Sequence, residues 1–337
     1  MIEKIQRALS KNMLLYASLA MVLGVLAGHY FNLKGISKFI IPIVFMMIFP
    51  MMVNLSLSSL KKIKGSVKPL VEAMILNFIV APLFMWLLSS IFISDPKIKL
   101  ALMLLSIAPA SSMGLGYIGI AEGHMLTGAV IVAFAFLASI FVYPVAGHYL
   151  AMGANIPVPI RMVLKNLFVI LILPFLFGIT VREYIERKHG AKGFLKAKPY
   201  FSVMTLTFLY ILLFVIFASK ANLIIKKYMD IILLLPLAVL FYGITTLTIF
   251  FVNRKILYME YGRHQAVVFT TVSKNVALTI AVLILVFGKE GQYISVFPAI
   301  MSIFQTIFLV SYLKLSYKVK SWFEKDKSNE KDVSLVK

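Results

Sequence analysis

The sequence predicts an all-α polytopic membrane protein whose ten transmembrane helices form two inverted five-helix repeats. Of 337 residues 61% are hydrophobic and only 14% are charged, against about a quarter charged in an ordinary soluble domain. Mean hydropathy is +0.94, and apolar runs long enough to cross a hydrocarbon core of about 30 Å recur along the whole chain. The runs are uniformly apolar, whereas barrel strands alternate over segments of about ten residues. A repeated pair of proline motifs supplies the inversion.

The first run, about 13 to 31, follows Lys4, Arg7 and Lys11. It is long for a signal-peptide core and lacks a small-residue cleavage site, so it reads as span 1. Spans 2 to 5 cover about 36–58, 69–94, 99–121 and 124–151. Spans 6 to 10 cover about 160–183, 200–219, 228–252, 264–288 and 293–315. One transporter domain thus extends over about 13–315, with repeats at about 13–151 and 160–315. Residues 316–337 mix charges with few apolar side chains and are expected to form a mobile, charged cytoplasmic tail, with Trp322 and Phe323 touching the interface.

Ala81-Pro82-Leu83 in span 3 lines up with Leu235-Pro236-Leu237 in span 8 at an offset of 154 residues, and the same offset carries Val142-Tyr143-Pro144 onto Val296-Phe297-Pro298. Five spans per half is an odd number. The second half therefore enters the membrane from the opposite side, as in the inverted repeats of many transporters.

The net charge of +21 is distributed by topology rather than gathered into a nucleic-acid face. With the N-terminus in the cytoplasm, the inside segments hold 23 of the 34 Lys and Arg and the outside segments hold 10. That bias puts both termini on the cytoplasmic side of the cell membrane. No base-stacking motif accompanies the charge. The expected partners are the lipid bilayer and a small-molecule substrate, without nucleic acid. No cysteine is present, which excludes thiolate metal sites and disulfides.

The remaining cation is Lys274, within the polar run Thr270-Thr271-Val272-Ser273-Lys274-Asn275 of span 9. A lysine at the centre of a span costs roughly 2.5 to 3.5 kcal/mol on insertion scales, and such residues mark substrate or ion paths. Ten residues of helix place it about 15 Å into the membrane, farther than a lysine stem reaches to an interface. Span 4 carries a matching interruption, Ala108-Pro109-Ala110-Ser111-Ser112-Met113-Gly114-Leu115-Gly116, in which proline removes a helical hydrogen bond and Ser and Gly support irregular backbone. Transporters place their sites where such paired helices unwind, because the freed backbone groups face the solute.

These residues resemble the bile acid/sodium symporter superfamily. Ala108-Pro109-Ala110-Ser111-Ser112-Met113 is similar to the Ala-Pro-Cys-Thr-Ala-Met segment of its arsenite-permease branch, and Ser273-Lys274-Asn275-Val276-Ala277-Leu278-Thr279-Ile280-Ala281-Val282 resembles that branch's Ser-Asn-Asn-Phe-Glu-Leu-Ala-Ile-Ala-Val. The order of spans and the contexts of Pro144 and Pro174 are also similar. The resemblance implies a panel of helices 1, 2, 6 and 7 and a core of helices 3 to 5 and 8 to 10. Helices 4 and 9 cross in that core, and the solute passes between core and panel by alternating access.

Two departures redirect the expectation. Ala110 replaces the branch's cysteine and Ala277 its glutamate, which rules out arsenite carriage by a thiol. In the bile-acid branch the helix 9 break resembles Glu-Val-Gly-Met-Gln-Asn and supplies sodium ligands. Aligning its Asn with Asn275 puts Thr270 at its glutamate and Lys274 at its glutamine. A negative ligand is lost and a positive charge gained, which disfavours sodium. Lys274 is expected to stand in for a bound sodium, holding the breaks together or coupling transport to protons, or else to attract an anionic substrate.

The expected activity is secondary active transport of a small solute, with an organic anion favoured. Sodium-coupled symport, metalloid efflux through a non-thiol site and, last, a passive channel are the alternatives. The expected substrate or ion site comprises Pro109, Ser111, Ser112, Thr270, Thr271, Ser273, Lys274 and Asn275, and Asn54, Asn77 and Gln305 can line the path. Met46 to Met52 read as adaptable packing with a lesser prospect of forming an apolar wall. Glu72 and Asp230 read as interfacial, and His29, His124, His148, His189 and His264 as span-end or loop residues. With no His-Glu-x-x-His run or intramembrane acid pair, an enzyme is not expected. No cofactor or metal is expected either, and sodium stays open as a coupling ion.

Overall fold

Helices dominate the computed structural model, which describes residues 1–31, 33–55, 57–111, 113–155, 161, 165 and 168–335. The chain begins with a short amphipathic helix, α1 (Ile2–Lys11), in front of α2 (Met13–Tyr30). Next come α3 (Ile40–Val53), α4 (Val67–Ile75), a π-helical turn at Leu76–Val80, and α5 (Ala81–Phe92). Asp95 then caps α6 (Pro96–Ser106) by accepting from the Lys97 N–H at 2.9 Å, with Pro96 in the first turn where its missing N–H costs nothing.

Beyond the Pro109 interruption lie α7 (Gly114–Ile120) and α8 (Met125–Gly153). The second half holds α9 (Leu173–Lys226), α10 (Tyr228–Phe251), a π-helical turn at Val252–Ile256, α11 (Tyr261–Val272), α12 (Val276–Ile294) and α13 (Val296–Leu335). Two glycines bend this half: Gly190, at φ +68°, joins two helical limbs within α9, and Gly288, at φ +56°, breaks α12. Only glycine takes such angles without strain.

Among the described residues eight helices are long and apolar enough to cross a membrane, against ten predicted spans. The difference has two sources. Predicted span 4 is divided into α6, of 11 residues, and α7, of 7, and spans 6 and 7 share the 54 residues of α9. The start of predicted span 6 lies largely outside the described residues. Lipid-facing chemistry is plain on the surface, where Trp86, Phe141, Val145, Val239 and Leu247 are all more than half exposed. No water-soluble fold tolerates so much contiguous apolar surface.

The helices fall into two packed groups. One is α1, α2 and α3 laid along α9. Gly24 and Gly28 let α2 approach closely: a Cβ on Gly28 would lie 2.0 Å from the Ala218 carbonyl oxygen, and one on Gly24 2.7 Å from that of Phe214. The other group gathers α4, α6, α7, α8 and α10 to α13, with Ala101, Leu104, Leu105, Ile131, Val267, Phe269, Leu283 and Met301 fully buried among them.

The tail expected to be mobile instead continues α13 to Leu335. Phe323, 7% exposed, stacks on His264 at 4.6 Å, and Lys320 pairs with Glu122 at 2.7 Å. That ammonium holds the exposed Glu122 carboxyl below its usual range. Trp322 is 45% exposed and edges onto Phe250.

Candidate functional site

The two interruptions meet. Ala110 and Lys274 form an antiparallel bridge, in which the Ser111 N–H donates to the Ser273 carbonyl at 2.7 Å and the Asn275 N–H to the Pro109 carbonyl at 3.0 Å. Proline had already removed one helical bond here, and each break answers the other's freed backbone groups. Asn275 also starts α12, its Oδ1 accepting from the Leu278 N–H at 3.1 Å, which lets a helix begin in mid-molecule without an orphaned amide.

Lys274 is 1% exposed. Its Nζ donates to Asn77 Oδ1 at 2.6 Å, and its backbone is clasped by Gln305, whose Oε1 accepts from the Lys274 N–H at 3.0 Å while Nε2 donates to the Lys274 carbonyl at 3.3 Å. Asn77 lies in the π-helical turn after α4, an irregularity that recurs at functional sites. Two residues expected to line a path are thus partners of the lysine. The third, Asn54, lies apart from it, donating from Nδ2 to Ser202 Oγ at 3.2 Å.

The hydroxyls divide as well. Thr270 Oγ1 bonds back to the Ala266 carbonyl at 2.6 Å within its own helix, and Ser111 Oγ accepts from the Met113 N–H at 3.3 Å. Thr271 Oγ1 is buried and has no hydrogen-bond partner among the described residues. Ser112 lies outside the described residues. Thr279 Oγ1 donates to the Asn275 carbonyl at 3.1 Å and meets the Tyr143 hydroxyl at 3.2 Å, which ties α8 to the break; Tyr143 had been noticed only as part of the proline repeat.

Beside the breaks is a cavity of about 20 Å³, room for roughly one water. Its walls are Met51, Met52 and Leu55 on one side and Ala110, Val132, Phe136 and Asn275 on the other, so it lies between the two packed groups. Asn275 Nδ2 reaches Met51 Sδ at 3.5 Å across it. Lys274 does not line this cavity; its ammonium points away, toward α4. Arg182 is at the cavity's edge: its Nη1 donates to the Leu55 carbonyl at 2.8 Å, its Nε pairs with Glu186 at 2.8 Å, and its guanidinium lies 4.2 Å from the Phe194 ring centroid.

A second polar cluster contains Glu72 and His264, read from the sequence as an interfacial and a span-end residue and only 7% and 0% exposed. Glu72 on α4 meets the Asn253 amide, which meets His264 on α11, which in turn meets Tyr312 on α13. Depth counted from the ends of apolar runs does not reveal the cluster; Glu72 is buried, and Phe323 stacks on His264. The usable signal was that Glu72 stands alone as an acid between Glu3 and Asp95.

The chain is similar in sequence to known proteins. The chain is 23% identical over 348 residues to an uncharacterized transporter of Synechocystis sp., covering 94% of this chain and 90% of that one. It is 24% identical over 309 residues to an arsenical-resistance protein of Corynebacterium glutamicum, covering 84% and 82%. The model of the sodium bile acid symporter family matches residues 41–227, which include the Pro109 break but not the Lys274 break. That match spans more than half of a chain built from apolar membrane-crossing helices, and this multi-pass membrane transporter belongs to the sodium bile acid symporter family.

Proposed function

We propose that the protein is a secondary active transporter that moves a small organic anion by alternating access without sodium, Lys274 acting as a built-in cation where two interrupted helices cross. The observation that carries this reading is the placement of the Lys274 ammonium, 2.6 Å from Asn77 Oδ1, while its own backbone bridges the two breaks. A covalently attached cation then does part of what a bound one would do: it ties the Asn77 oxygen to the break that carries the lysine.

Ten crossings follow if the two limbs of α9 about Gly190 count separately and α6 with α7 counts as one broken span. The inverted repeat is supported by Tyr143 and Phe297, equivalent at the 154-residue offset and exposed by only 0% and 1%. In this reading α1 to α3 with α9 are the panel, the other helices are the core, and both termini are cytoplasmic. The cavity between them holds about one water as it stands, and its lining, apolar apart from Asn275, suits a solute with an apolar body and a hydrogen-bonding head once the two groups part. Arg182, bonded to the wall residue Leu55 and paired with Glu186, lies beside that lining. Metalloid efflux through a thiol is excluded by the absence of cysteine, and no ring-forming selectivity motif favours a passive channel.

Thermal-shift measurements on purified protein against small organic acids, in sodium or choline salts, test this directly, because a specific binder stabilises the folded state by RT ln(1 + [L]/Kd). Sodium is expected to leave the wild type unshifted and to stabilise Lys274→Gln, which reopens the site. A sodium-dependent shift of equal size in both proteins would overturn the proposal.

A further inference from the structure

The Asn253 amide lies between an acid and an imidazole. One of its terminal atoms is 2.9 and 2.8 Å from the two Glu72 oxygens, and the other is 3.1 Å from His264 Nδ1. On its far side His264 Nε2 is 3.2 Å from the Tyr312 hydroxyl. All four residues are at most 9% exposed, so their hydrogen bonds are made chiefly with one another.

This geometry accepts two complete sets of hydrogen bonds. An ionised carboxylate only accepts. The Asn253 NH₂ must then face Glu72 and its oxygen must face His264, which carries its hydrogen on Nδ1 and accepts the Tyr312 O–H at Nε2. A protonated Glu72 has one O–H to donate. Asn253 then presents its oxygen to that O–H and its NH₂ to His264, whose bare Nδ1 accepts it, and the ring hydrogen sits on Nε2, donating to the Tyr312 oxygen. The displaced Tyr312 O–H has an acceptor beside it in the amide of Gln265, which is fully buried. Between the two sets one proton is gained, on Glu72. His264 holds one ring hydrogen and no charge in both.

We propose that Glu72 is a proton-binding site of the transport cycle, and that Asn253 and His264 relay its occupancy by amide rotation and tautomer exchange. The relay acts on the crossing because α11, which begins near His264, ends one residue before Ser273-Lys274. The stretch bearing Glu72 also bears Asn77, the lysine's partner. The same two segments are therefore joined at both ends of α11. This inference rests on the carrier reading above, since a carrier without sodium needs another driving ion. With an amide NH₂ on both carboxylate oxygens, a proton is the cation the site can take.

The charged groups around Glu72 are consistent with that. Lys68, one turn earlier on α4, acts on it directly. The elements packed against α4 bring Arg263 and His264 on α11, His124 at the start of α8, and Lys61 and Lys64 in the segment before α4; Arg254 and Lys255 flank Asn253. The carboxylates nearest these elements are Glu260, which precedes α11, and Glu122, which pairs with Lys320; the groups that act on Glu72 are Asn253 and Lys68.

Full-length protein in liposomes, labelled with ¹⁵N-histidine, permits the test by infrared difference and solid-state NMR titration over about pH 5 to 9. The His264 signals are identified by their loss in His264→Gln. As pH falls, a protonated-carboxyl stretch is expected that Glu72→Gln lacks, and over the same interval the His264 hydrogen passes from Nδ1 to Nε2 without a doubly protonated form. Glu72→Gln, whose NH₂ replaces the carboxyl O–H as donor to Asn253, should hold the Nε2–H tautomer at every pH. A wild-type carboxyl that never changes state, or a His264 that becomes imidazolium or keeps Nδ1–H throughout, overturns the proposal even if a variant misfolds. Neither readout uses sodium or substrate, so failure here is distinguishable from failure of the Lys274 reading.

Discussion

A buried ammonium has three donors to satisfy, and among the described residues Asn77 Oδ1 is the side-chain acceptor that meets Lys274 Nζ. Leaving that charge without its partner is expected to cost about 3 kcal/mol, because bonds to charged groups contribute roughly 1.5 to 3 kcal/mol and orphaned charges cost more than orphaned dipoles. Asn77→Leu should therefore destabilise strongly, while Lys274→Met with Asn77→Leu should lose less than the sum of the single losses, since no charge remains buried. Unfolding of the purified variants measures this, and strictly additive losses would refute the pairing. The lysine itself was legible in the sequence because its cost in an apolar run is so large. Its partner, 197 positions away, was visible only as one polar residue among several. The partners of Glu72 were hidden for a related reason: the sequence yields depth along a span, but not which side chains turn inward toward Asn253 and His264.

Interruptions were the legible part at the level of helices. Pro109 with its serines and glycines, and the polar run about Lys274, coincide with the two non-helical segments that bond to one another. Continuity was less legible. Nothing in the charged stretch from Arg182 to Lys198 announced that helix would run through it on both sides of a single glycine, Gly190 at φ +68°, where the two limbs meet at a kink. The amphipathic α1 went unread too, being too short and charged to register as a span. Close helix approach belongs at this scale, and it can be tested at Gly28. A side chain there would meet the Ala218 backbone at 2.0 Å, forcing α2 off α9, whereas Gly243 has nothing within 4 Å of an added Cβ. Gly28→Leu should lower stability by about 1 to 3 kcal/mol or more, as overpacking does, and Gly243→Ala should be neutral or slightly stabilising. Thermal denaturation of the two variants compares them, and equal effects would mean that the α2–α9 contact is not close-packed.

For the molecule as a whole, orientation in the membrane follows from charge and length together. The 23-to-10 bias of Lys and Arg between the two sets of segments favours cytoplasmic termini, and it assigns Lys192 and Lys255 to the cytoplasm and Lys226 to the outside. Helix length makes the assignment strict. From Lys192 to Lys226 α9 runs 34 residues, about 51 Å of helix, well beyond a hydrocarbon core of about 30 Å. If this limb crosses the bilayer, its two ends cannot share a side. The chain has no cysteine and all three lysines are exposed, so each replaced singly by cysteine becomes the only thiol in the protein. A membrane-impermeant maleimide added to intact cells should label Lys226→Cys at once, and Lys192→Cys and Lys255→Cys only after permeabilisation. The reverse pattern would invert the topology and, with it, the side from which the Met51–Asn275 cavity is reached. Labelling of Lys192→Cys and Lys226→Cys from the same side would instead mean that this limb of α9 does not cross, and the count of ten spans would fail with it.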